Sequence, residues 1–185
     1  QGKKIIMLTV SSVLSGTYQT ACLAARQVME EIKGADIRVV DSKTAACPIS
    51  GVAMEILART AEGMEIDEAA ALAEDMFART ETFFSVNTLD YLQKGGRIAR
   101  ASALLGIRPI VHLKEDGNLE VVDKCRTRKK VLKRMIELAA EKQPIEAVYV
   151  AHAVAAEDAQ ALKQEMQELF PGVPAMVTGI GTVLA

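Results

Sequence analysis

Three serines, a glycine and a threonine crowd into Ser11-Ser12-Val13-Leu14-Ser15-Gly16-Thr17, directly after a short apolar run. Hydroxyls beside the unpaired N–H groups of a helix start suit an anion, either a phosphate or a carboxylate. The helix dipole favours negative charge there, and the hydroxyls orient it without adding charge. The same residues would equally cap a helix and fill a turn. The lysine and spacing of a P-loop are absent, so the pattern does not support a nucleotide. A serine nucleophile needs a base within hydrogen-bond reach. The only histidines are His112 and His152, and neither stands at a spacing that marks a triad. No His, Asp and Glu cluster has metal-ligand spacing, and no glycine-rich dinucleotide fingerprint follows the first apolar run. Catalysis by this chain alone is not indicated.

A second stretch, Lys94-Gly95-Gly96-Arg97-Ile98, sets a cation on either side of two glycines. Glycines permit a sharp turn or a close backbone approach, and Arg97 could hold an anion or a partner carboxylate bidentately. It opens a basic strip. Residues 94–134 carry 12 Lys and Arg against 4 Asp and Glu, whereas the remainder carries 10 against 20. Such a strip is a solvated helix face, an anion site or a docking surface. Nucleic acid is disfavoured, because neither stacking aromatics nor a known binding motif accompanies the charge.

The elements that must position these groups come from a 185-residue chain, half hydrophobic and a quarter charged. That is enough for one sizeable domain or two small ones and excludes disorder and low complexity. Aromatics make up 4% with no Trp, so the core is aliphatic and base- or sugar-stacking platforms are unexpected. No apolar run approaches the ~18–20 residues that span a bilayer, and no leader pattern marks export. Cys22, Cys47 and Cys125 are odd in number and far apart, which reads as small buried hydrophobes in a reducing, cytoplasmic setting.

Along the chain, Ile5–Val10 reads as a strand buried on both faces. Tyr18, Ala21, Cys22, Ala25, Val28, Met29 and Ile32 then fall at helical spacing, with Gly34 as the stop. Asp36–Val40 is a second strand. Ile49, Val52, Ala53, Ile56 and Leu57 line a second helix, and Asp67 caps a third. This order predicts parallel strands with right-handed crossovers. Ligands of such sheets sit at the carboxyl ends of the strands, so the loops 11–16 and 41–44 should share one rim. Beyond strand Thr82–Val86, Thr88 should cap a short helix stopped at Gly95-Gly96. A further short helix is expected over Ala99–Leu105. Pro109–Leu113 and Leu119–Lys124 read as a hairpin around Glu115-Asp116-Gly117-Asn118. Thr127 caps a basic helix with Val131, Met135, Ile136 and Ala139 on one face. Strand Ile145–Val150, helix Ala156–Phe170 and strand Pro174–Thr178 complete the chain. The fold class expected is α/β: a partial parallel βαβ first domain, residues 1–80, then a mixed-sheet α/β second domain, residues 81–185. Both ends read as those of a fragment.

Taken together, these residues resemble the DegV family, bacterial lipid-binding proteins that include the fatty-acid-binding subunit of fatty acid kinase. The likeness rests on Ser11 through Ala21, on Val40-Asp41-Ser42-Lys43 and on Tyr91-Leu92-Gln93-Lys94-Gly95-Gly96-Arg97-Ile98. Arg108-Pro109-Ile110 and Lys124-Cys125-Arg126-Thr127 add to it. It covers essentially the whole chain, and the order and spacing of the stretches carry it. The family's N-terminal Thr-Asp-Ser start, its Thr-Ser-Gln-Pro loop and its His-x-Gly-Pro-Gly ending have no counterpart here. The head-group roles of that Thr and His pass to no residue, His112 and His152 included.

The resemblance implies a long-chain fatty acid in a tunnel between two α/β domains, with no other cofactor and no metal. Its carboxylate would meet Ser11 and Ser12, while Ser15 and Gly16 shape the loop. It implies a non-catalytic lipid-binding subunit that presents the carboxylate to a separate kinase. Arg97 and Arg126, with Arg128, Lys129 and Lys130, would dock an acidic face of that partner. The alternatives are a serine-dependent hydrolase or acyl/phosphoryl transferase using the Ser11–Thr17 turn, and an interaction domain with no small ligand.

Overall fold

The computed structural model describes residues 4–99 and 106–181. The helix expected over Ala99–Leu105 falls, but for Ala99, outside them. The chain divides into two compact units. One holds residues 1–80 with Glu115–Gly117, the other residues 81–114 and 118–185.

In the first unit β1 (Lys4–Thr9), α1 (Thr17–Glu31), β2 (Asp36–Asp41), α2 (Cys47–Ala61) and α3 (Ile66–Ala78) follow in turn. The two strands pair in parallel, Lys4 opposite Asp36 through Thr9 opposite Asp41. Val40, Val52, Ile56, Ala69, Ala73 and Phe77 form the core, with Ile6 and Leu8 packed against it. Burial on one face is thus secured by α2 and α3. The other face of β1 departs from the two-sided burial expected: Ile5 is 50% and Met7 43% exposed. The helical stripes are also narrower than their spacing predicts, for Met29, Ile32 and Leu57 lie exposed. α1 buries only the small Ala21 and Ala25, so its outer apolar residues have nothing to cover them among the described elements. The cap of α3 differs too. Glu65 and Glu68 form a reciprocal capping box, while Asp67 accepts a hydrogen bond from Arg38 at 2.7 Å.

The second unit contains β3 (Thr82–Ser85), α4 (Asp90–Lys94), β4 (Arg108–Leu113), β5 (Leu119–Cys125), α5 (Arg128–Ala140), β6 (Val148–His152), α6 (Ala156–Leu169) and β7 (Ala175–Gly179). Strands β3, β4 and β5 form an antiparallel sheet in that order, and β6 and β7 a separate parallel pair. The hairpin closes with Lys114 N–H donating to Asn118 O at 2.9 Å. The Thr88 hydroxyl accepts from Asp90 N–H at 3.2 Å, and the Thr127 hydroxyl accepts from Lys130 N–H at 3.3 Å. Core residues Ile110, Val131 and Leu138 pack with Phe83, Cys125 and Met135. Leu138, not Ile136, is thus the deep contact of the last turns of α5. No helix among the described residues is long and apolar enough to cross a membrane.

His112 is a structural residue of this unit. It stacks on Phe83 with ring centroids 4.6 Å apart, and its Nε2 lies 2.6 Å from Glu81 Oε2. Lys142 Nζ donates to the other oxygen of Glu81 at 2.7 Å. Burial pushes the Glu81 carboxyl upward, but the hydrogen bonds from Lys142 and His112 more than reverse this and hold it below the usual glutamate range. A carboxylate depressed in the folded state stabilises above its unfolded pKa and loses that contribution as pH falls through the folded one. Glu81→Gln should therefore cost about 1 kcal/mol at neutral pH and flatten the fall in stability on acidification. Denaturant unfolding monitored by circular dichroism along a pH series checks both.

Candidate functional site

The strand ends of the first unit bring the two expected loops together. Where β1 and β2 stop, the Thr9 hydroxyl donates to Val40 O at 3.2 Å. Ser42 N–H donates to Thr9 O at 3.2 Å and Ser11 N–H to Thr44 O at 2.9 Å. Ser42 and Thr44 are buried, and the Ser42 hydroxyl both accepts from Thr44 N–H and donates to Thr44 O, each at 3.1 Å. The rim is therefore cross-braced by backbone and hydroxyl bonds rather than by apolar packing.

Within the serine turn each hydroxyl has a different fate. Ser11 is wholly buried, and its hydroxyl accepts from Val13 N–H at 3.3 Å. Its carbonyl accepts from the N–H groups of Leu14 and Ser15, both at 3.0 Å. Ser15 Oγ accepts from Thr17 N–H at 3.3 Å and lies 2.8 Å from Thr17 Oγ1, just before Gly16, the N-cap of α1. Gly16 is exposed, and a Cβ there would meet nothing within 4 Å. Ser12 alone is half-buried with its hydroxyl unengaged among the described residues. Ser11 and Ser15 thus build the turn, and the Ser12 hydroxyl has no partner among the described residues.

A residue that the sequence left without a role organises this rim. Asp41 Oδ1 accepts from Ser12 N–H and from Lys43 N–H, each at 3.0 Å. Its charge is also felt at the start of α1. The Tyr18 hydroxyl is pushed up first by its hydrogen bond with Cys22, then by burial and by the charge of Asp41. The hint in the sequence was position: Asp41 is the last residue of a parallel strand, where such sheets place their ligand loops. Gly117 belongs to the same unit. A Cβ on it would stand 2.5 Å from Ser11 Oγ and 3.2 Å from Val13 Cγ2.

The cations of the second unit split into two groups. Arg128 pairs with Asp158, and Arg134 pairs with Asp123, Glu137 and Glu141. Arg126, Lys129 and Lys130 are exposed with no ion pair among the described residues. The helix start is the wrong end for cations, each of which costs a few tenths to about 1 kcal/mol there. Arg97 is exposed, its N–H donates to Leu92 O at 2.9 Å, and its guanidinium rests on Gly95. Gly96 holds a φ of +68°, a turn that glycine makes without strain.

His152 ends β6, and its Nδ1 accepts from Ala155 N–H at 3.3 Å. It lines an open cleft of about 480 Å³ with Arg128, Val154 and Asp158. No group of three or more His, Cys, Asp or Glu suited to a metal ion occurs among the described residues. The three cysteines are half-buried rather than fully buried, and none is in a disulfide. Burial pushes up the thiols of Cys47 and Cys125, which makes both poor nucleophiles.

The arrangement defines an α/β protein whose polar rim closes the carboxyl ends of a parallel strand pair, with antiparallel and parallel sheets following. The chain belongs to the DegV family: residues 1–185 match the family model described as "Uncharacterised protein, DegV family". A DegV domain-containing protein of Clostridium perfringens is 33% identical, over all of this chain and 66% of its own length. The chain spans about two thirds of the curated relatives it matches. Among solved structures, a Thermotoga maritima protein described as having fatty acid binding function aligns with a TM-score of 0.81 at 29% identity, over 98% of this chain and 64% of that one. The Streptococcus pneumoniae fatty acid kinase B3 protein, loaded with linoleic acid, aligns with a TM-score of 0.86 at 22% identity, over 96% and 65%. The latter is a likeness of fold.

Proposed function

We propose that this chain binds a long-chain fatty acid and presents its carboxylate to a partner kinase, with no catalytic step of its own. The observation that carries the reading is the unengaged Ser12 hydroxyl on a cross-braced rim at the ends of a parallel strand pair, in a family whose relatives bind fatty acids. The acyl chain lies in an apolar tunnel, and each buried CH₂ contributes roughly 0.8 kcal/mol. A carboxylate buried with it is costly unless hydrogen-bonded. Ser12 supplies the direct donor, while Ser11 and Ser15 fix the turn that aims it. The first unit contains no histidine to serve the serine-enzyme alternative as a base.

The partner transfers the γ-phosphoryl group of a nucleoside triphosphate to the presented carboxylate oxygen, forming the acyl O–P bond as the bond to the β-phosphate breaks and the nucleoside diphosphate leaves. Arg97 and Arg126 with Lys129 and Lys130 dock an acidic face of that kinase, consistent with cations left unpaired at the start of α5. Arg97→Glu should slow acyl-phosphate formation by the kinase about tenfold while leaving the affinity for oleic acid, measured by calorimetric titration, unchanged. A loss of oleic acid binding in that variant would put Arg97 in the pocket and end the docking assignment. Time-dependent labelling of Ser11, Ser12 or Ser15 by a phosphonate probe would overturn the non-catalytic reading.

A further inference from the structure

The geometry assigns Asp41 as a positioning and specificity-determining residue of the serine rim: its carboxylate aims Ser12 and disfavours head groups with more than one negative charge. The inference rests on the fatty-acid reading. A single oxygen, Oδ1, accepts from Ser12 N–H and Lys43 N–H, both at 3.0 Å. This ties the serine turn to the β2 loop at the residue whose hydroxyl is left unengaged. Two backbone donors that could have faced a ligand are thereby consumed by an anion internal to the fold. What remains toward the ligand at Ser12 is a neutral hydroxyl, which can donate to a carboxylate or accept from a protonated acid.

Asp41 is half-buried at the end of β2 and hydrogen-bonded to the backbone of the very residue that would meet the head group. Like charges so close repel strongly where water is partly excluded. A carboxylate can relieve that repulsion by taking a proton. An alkyl phosphate, carrying about 1.5 to 2 charges at neutral pH, is penalised more. The same residue therefore does two separable things. Its oxygen holds the turn, and its charge sorts the ligands.

Two variants separate them, because asparagine keeps the accepting oxygen and removes the charge, whereas alanine removes both. Amide hydrogen exchange at Ser12 and Lys43 should quicken in Asp41→Ala and stay close to wild type in Asp41→Asn. By calorimetry, Asp41→Ala should bind dodecanoic acid about tenfold more weakly. Asp41→Asn should bind it within about threefold of wild type while narrowing the preference for dodecanoic acid over dodecyl phosphate about tenfold. Unchanged exchange in Asp41→Ala would overturn the positioning role, and an unchanged preference in Asp41→Asn would overturn the sorting role. If the wild-type chain bound neither probe, the fatty-acid reading would fall and sorting with it. The exchange result would still decide the positioning role by itself.

Discussion

Replacing Gly117 with alanine is expected to destabilise the chain by about 2–4 kcal/mol and to weaken fatty-acid binding with it. Gly117 has a φ of +81°, a conformation that costs an L-residue roughly 1–2 kcal/mol. The added methyl would also stand 2.5 Å from the buried Ser11 Oγ and 3.2 Å from Val13 Cγ2. The exposed Val13 side chain can swing aside, but Ser11 cannot give way cheaply, because it is wholly buried and braced at its N–H, carbonyl and hydroxyl. Relief must come from moving the turn, which displaces Ser12. Urea unfolding should show a lower midpoint with an unchanged slope. Gly16→Ala is the control, since open space surrounds that position, and its effect should stay within about 0.5 kcal/mol. Equal effects of the two substitutions would contradict the packing of Gly117 on the serine turn.

Ser12→Ala should weaken oleic acid binding roughly ten- to a hundredfold, the value of one hydrogen bond to a charged group. It should leave stability unchanged to about 0.5 kcal/mol, because the Ser12 hydroxyl has no partner to lose among the described residues. Ser15→Ala should do the reverse. It removes the acceptor of Thr17 N–H and costs about 1 kcal/mol of stability, the worth of one hydrogen bond, with a smaller effect on affinity. Calorimetric titration and thermal unfolding of the two variants side by side check this crossing of effects. Parallel losses in both would mean that the turn acts only as a scaffold.

Much of this architecture was legible because it rests on local signals. The apolar run from Ile5 and the polar turn after it set β1 and its loop. Thr127 capped α5 as its type and place demand, and Gly117 turned the hairpin. The failures are tertiary. Asp67 looked like a helix cap, yet Arg38, 29 residues away, takes its carboxylate, and a Glu65–Glu68 box caps α3 instead. The strand expected from Ile145 begins at Val148, where its N–H first finds Pro174 O at 2.9 Å. Ile5, Met7 and Leu57 carry the periodicity of buried residues, but periodicity shows which side is apolar and not whether anything covers it.

At the site, the serine turn and the β2 loop could be placed on one rim from strand order alone. Which serine keeps a free hydroxyl could not. That depends on Asp41 claiming the Ser12 amide across 29 residues and on the Ser11 hydroxyl being turned to the Val13 N–H, and no spacing rule encodes such contacts. The basic strip was visible as a count. Its division into paired Arg128 and Arg134 and, among the described residues, unpaired Arg126, Lys129 and Lys130 needed the positions of Asp158, Asp123, Glu137 and Glu141.

The central claim is that the chain holds a fatty acid, and organic extraction of the purified protein followed by mass spectrometry tests it most directly. The account predicts one long-chain fatty acid released at about one per chain, with less recovered from Ser12→Ala. An extract empty of lipid, from protein that also fails to take up oleic acid added in excess, would contradict it.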